Sequence, residues 1–169
     1  MRVNEFIEKV VNDSRFQEWK KNHQDSYIVH VFFEEVGMQI GYYNKDDTMT
    51  SFSFENDELK ITESEEIFKK DDKKLLKLDR DKIKIDFNQG LEKAKKLQQE
   101  YYKGHDPVKI ISVLQHLAIG QVYNFTMITQ TFQTINVKIN TDSGEVIEHK
   151  LYSLMDLGEM KPGKSATEK

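Results

Sequence analysis

Residues 120–154 read GQVYNFTMITQTFQTINVKINTDSGEVIEHKLYSL. Apolar and polar side chains alternate there in three runs, Val122–Thr129, Phe132–Asn140 and Glu145–Tyr152, which is the period of a half-buried strand. The turn Thr141-Asp142-Ser143-Gly144 separates the last two runs. Asp142 is expected to accept backbone N–H groups there, and Gly144 to supply the positive φ of a tight hairpin. The segment therefore predicts an antiparallel three-stranded meander.

Working upstream, Asp86 and Gln89 form a capping-box start for a helix whose face is Phe87, Leu91, Ala94, Leu97 and Tyr101, ending near Gly104. Lys82–Ile85 reads as a brief strand before it. Asp106-Pro107 reads as a cap with a first-turn proline. Val108, Ile110, Ile111, Val113, Leu114 and Leu117 then predict a short second helix.

The first half has a similar order. Val3, Phe6, Ile7, Val10 and Val11 share a helix face, and Ser14 with Gln17 suggests a capping box restarting a second helix that ends between Asn22 and Gln24. Period-two runs follow at Tyr27–Glu34, Met38–Tyr43, Thr50–Phe54 and Leu59–Ile61. Tyr27 and Tyr123, Asn44 and Asn140, and Asp46 and Asp142 share one offset, 123 − 27 = 140 − 44 = 142 − 46 = 96. This suggests a structural duplication. The expected organisation is a helix-plus-meander unit over 1–62, a charged connector over 63–81, a second unit over 82–157 and a disordered tail over 158–169. The fold class expected is α+β, with helices packed on antiparallel meanders.

Composition narrows the function. A net charge of −4 provides no global cationic field, so neither a nucleic acid nor a membrane is expected as partner. Cysteine is absent, which removes disulfides and thiolate chemistry. The first residues interleave charge with apolar side chains, unlike a signal peptide, and a cytoplasmic location is expected.

No catalytic, cofactor-binding or metal-ligating set emerges. His23, His30, His105, His116 and His149 show no metal-site spacing. Adjacent carboxylates such as Glu34-Glu35 point to opposite sides of an extended chain. Glycines are scattered rather than gathered in a phosphate-binding loop.

The second half, about 82–152, resembles the PepSY domain family. The resemblance rests on the capped helix Phe87-Asn88-Gln89-Gly90-Leu91-Glu92-Lys93-Ala94 and on Ile135-Asn136-Val137-Lys138-Ile139-Asn140-Thr141-Asp142-Ser143-Gly144-Glu145-Val146-Ile147. It implies a cystatin-like helix-on-sheet fold for that half, and under it residues 1–62 would need to be a diverged second copy. Some members of that family look like inhibitory or chaperone-like propeptides of thermolysin-type peptidases, so peptidase modulation is among the implied roles. This chain shows neither a signal peptide nor an attached peptidase, unlike that setting.

Strand aromatics exceed what one core requires. Phe32 and Tyr43 fall on the faces opposite Val31 and Tyr42, and with Phe132 they are the expected partner-binding residues. The functional expectation is a non-enzymatic binding or regulatory domain that recognises a polypeptide through a sheet face or edge strand, or self-associates there. The alternative is a small-ligand-binding protein or enzyme with an aromatic-lined cavity between helix and sheet.

Overall fold

The computed structural model describes residues 1–64 and 75–153. The tail expected to be disordered, and most of the charged connector, lie outside these residues. Helices α1 (Val3–Val11) and α2 (Ser14–Asn22) precede strands β1 (Tyr27–Phe33), β2 (Met38–Tyr43), β3 (Met49–Glu55) and β4 (Glu58–Ser64). A 3-10 turn at Arg80–Lys82 and helix α3 (Phe87–Tyr101) precede β5 (Pro107–Leu117), β6 (Gly120–Thr129), β7 (Gln133–Asn140) and β8 (Val146–Ser153).

All eight strands form one antiparallel sheet in the order β4-β3-β2-β1-β5-β6-β7-β8. The α+β class expected from the sequence is corrected by this sheet. The described residues are β-rich, with eight strands against three short helices among them. Two meanders have fused edge to edge through β1 and β5, rather than standing as separate helix-backed units.

The segment 108–117, expected to be helical, is the central strand β5, paired with β1 at Val31–Leu114 and with β6 at Leu114–Tyr123. In each half, helix precedes four strands, but the equivalence read from the sequence does not match the strand order. The offset of 96 laid β1 on β6, whereas the fold matches first strand to first strand, β1 to β5, on either side of the sheet's centre. Lys82–Ile85 is also not a strand. The amides of Lys84 and Ile85 both donate to the Thr141 carbonyl, tying this segment to the β7–β8 turn.

Register places the core on one side. Phe52 faces Ile40, Ile40 faces Val31, Val31 faces Leu114, Leu114 faces Tyr123 and Tyr123 faces Ile139. All are buried, and α1, α2 and α3 bring Phe6, Ile7, Val10, Phe16, Trp19, Ala94 and Leu97 onto them. Each such side chain contributes about 1.5–3 kcal/mol on burial. Gly90 lets α3 approach closely, since a Cβ there would lie 3.1 Å from the Tyr123 ring. The halves interlock where Phe33 of β1 stacks on Phe87 of α3, with centroids 3.8 Å apart and planes 9° apart.

Caps explain the helix starts. Asp86 and Gln89 form the expected capping box of α3. At α2 the cap is Asp13, which accepts the Arg15 amide, and not Ser14. Among the described residues no helix is long and apolar enough to cross a membrane.

Candidate functional site

Alternation along each strand sends every second side chain to the side opposite the three helices. No described helix lies on that side. Its centre is the β1–β5 junction, where Phe32 faces Val113 across the ladder and His30 faces Gln115. Phe32 is 36% exposed and Ile111, one pleat along β5, is 37% exposed. The three apolar groups, Phe32, Val113 and Ile111, therefore form a patch where the halves meet.

His30 supports this patch from beneath. A β-bulge between Ile28 and His30 puts Tyr27 and His30 on the same side, which strict alternation did not foresee. The imidazole lies over Gly41 of β2, and its edge meets Phe32 with centroids 5.0 Å apart at 81°. Burial lowers the His30 pKa to about 4, so the ring is neutral at pH 7.

Of the three residues expected to bind a partner, the structure brings only Phe32 to this surface. Tyr43 also points to the open side but is 4% exposed. Its ring packs on Tyr27 and its hydroxyl donates to the Asp47 carboxylate, so it closes the β2–β3 hairpin and offers no contact area. Phe132 stands elsewhere, in the β6–β7 turn, 74% exposed with φ 56°. Its amide donates to the Thr129 carbonyl, and the Thr129 hydroxyl is tied to both backbone groups of Gln133. A bulky residue in the left-handed region is uncommon, and here the turn holds its ring in solvent.

The same end of the sheet carries more exposed apolar side chains. The β1–β2 turn, the start of β5 and the β6–β7 turn are neighbours there, and they present Val36, Val108 and Phe132. Ile111 and Val113 were hidden from sequence reading by their assignment to a helix. The signal that could have found them was the β-branched content of the run Ile110-Ile111-Ser112-Val113, which favours strand over helix.

A second feature is a cleft of about 370 Å³ between α1 and residues 83–87, with Phe87 and Tyr123 among its walls. Its lips are charged rather than aromatic. Each carboxylate lining it has a partner: Glu5 pairs with Arg2, Glu8 with Arg80 at 3.1 Å, and Asp86 accepts the Asn88 amide. The Tyr123 hydroxyl donates to the Ile85 carbonyl, and burial raises its pKa. These groups are engaged with one another, which suits packing better than acid–base chemistry. Among the described residues no cluster of His, Asp or Glu could hold a metal.

No family model matches the chain, and no curated protein matches it. Among solved structures, the chain is similar to a Clostridium difficile 630 protein named a "putative lipoprotein", at 15% identity and a TM-score of 0.48, over 81% of this chain and 90% of that one.

Proposed function

We propose that this protein is a non-enzymatic binding domain that recognises a polypeptide through the open side of its sheet. The observation that carries this reading is the apolar patch at the junction of the two halves, where exposed Phe32 and Ile111 flank the half-buried Val113. Large exposed apolar groups gathered on one rigid surface favour a protein partner, because burying them releases the water they order. The resemblance of residues 82–152 to PepSY domains agrees with a binding role and adds peptidase modulation as one form it takes. Cytoplasmic residence belongs to the same reading.

Edge-strand recognition is the weaker form. The outer strand β4 presents Glu58, Lys60 and Glu63, and charged edges discourage strand addition. The test is affinity purification from the native cell with mass spectrometry, comparing the natural chain with Phe32→Ser/Ile111→Ser. A partner retained by the first and lost with the second supports the reading. An identical set of retained proteins contradicts it.

A further inference from the structure

Charge is missing from the middle of the open side. The chain has 25 basic and 29 acidic residues among 169, so an ordinary solvent-facing sheet surface of this protein would carry many. Between the strand ends, from β3 across β2, β1 and β5 to β6, the outward polar positions are Ser51 and Ser53, Gln39, His30, Gln115, Asn124 and Thr126. Charges resume around this centre, with Lys109 near the start of β5, Lys60 on β4, and Lys138, Glu148 and Lys150 on β7 and β8. Lys138 and Glu148 neutralise one another at 2.7 Å.

We propose that the occupant of this surface is a single uncharged protrusion of a folded protein, an apolar tip that seats on Phe32, Ile111 and Val113 and hydrogen-bonds to the surrounding amides and hydroxyls. This rests on the docking role proposed above and specifies its chemistry. A charged side chain pressed onto the centre of this region, around Phe32, Gln39 and Val113, would lose its water and meet no counter-charge there. Nucleic acids, acidic peptides and anionic lipid surfaces all require several cations together, whereas the centre of the face has none and Lys109 stands singly at its margin. Depletion of charge around apolar anchors, with polar uncharged side chains between them, is the composition of protein interface cores. Size selects the element. Five strands span roughly 19 Å at the usual inter-strand spacing, and five residues along them roughly 17 Å. That footprint holds one loop or one helix of about 10–12 Å diameter. It is too small for two.

The experiment uses the immobilised full-length chain and extract of its native cells at 50 and 500 mM NaCl, with retained proteins identified by mass spectrometry. Three variants accompany it: Gln39→Lys and Ser53→Lys place a charge on the face, and Lys60→Glu changes a charge beyond it. Having two insertions on different strands, each checked by thermal melting, guards against a misfolded variant. The expected result is a protein retained within about threefold at both salt concentrations, lost with either insertion and kept with Lys60→Glu. Retention that depends on the face but falls more than tenfold in 500 mM NaCl overturns the uncharged chemistry while leaving the docking role standing. Retention indifferent to both insertions, or no retention, overturns the docking role itself. Binding of duplex DNA or phosphatidylserine vesicles to the face would assign it to another class of partner.

Discussion

The imidazole of His30 lies directly against Gly41 of the neighbouring strand, so closely that a Cβ at position 41 would stand 2.3 Å from two ring atoms. Glycine at 41 is thus the seat of a half-buried histidine, and the pair forms the floor beside Phe32 on the open side of the sheet. Gly41→Ala must displace the ring or the strand. It should lower stability by about 1–3 kcal/mol, the usual cost of overpacking. The double variant Gly41→Ala/His30→Ala should recover part of that loss, as read by denaturant unfolding. A Gly41→Ala protein as stable as the natural chain would show that the ring does not sit there.

The same histidine predicts a pH dependence. Its folded pKa, about 4, lies below the ordinary 6.5, so the unfolded chain binds the proton more readily. Its contribution is therefore fully present above pH 6.5 and is lost as the pH falls from there to about 4. A shift of that size corresponds to at most about 3 kcal/mol. Denaturant midpoints measured at pH 7 and pH 4.5 should draw closer together in His30→Gln than in the natural chain. Equal slopes in the two proteins would contradict the burial.

Gly144 has the positive φ, 73°, that the turn sequence predicts, and a Cβ there would also lie 3.1 Å from Ile85 Cδ1. Gly144→Val should cost about 2 kcal/mol or more, combining left-handed strain with the contact. Lys150→Ala, on the outer strand, should cost about 0.5 kcal/mol or less. Indistinguishable midpoints would remove the hairpin geometry. Asp142 is not the acceptor expected in this turn: the Asn140 side chain accepts the amides of Asp142 and Ser143, while Asp142 pairs with Lys84 at 2.7 Å.

Phe87 ties the halves together by stacking on Phe33. Phe87→Ala should destabilise by about 3 kcal/mol. Unfolding should remain a single transition, because one continuous core cluster runs from α1 to β8. Two separated transitions would show that the halves fold independently.

Much of the fold was legible because most strands bury one side only. Alternation in Tyr27–Phe33, Met38–Tyr43 and Gln133–Asn140 located β1, β2 and β7 within a residue or two. Residues 107–117 failed for a physical reason. β5 is a central strand with Ile110, Ser112 and Leu114 turned to the core and Ile111 and Val113 to the open side. Apolar groups on both sides blur the period of two, and at 110, 111, 113, 114 and 117 they reproduce helical spacing. The obstacle to reading the fold and the candidate site are the same residues. Tyr43 failed differently, since sequence gives the side to which a residue points but not whether a neighbour such as Tyr27 covers it.

The central claim is that the open side of the sheet, at the β1–β5 junction, is where a polypeptide binds. A photo-crosslinking phenylalanine analogue at position 32, compared with one at the exposed helical position Glu18 on the opposite side, tests it most directly in living cells. The account predicts a discrete protein adduct from position 32 and none from position 18. An adduct from position 18 alone, or no adduct from position 32, would contradict it.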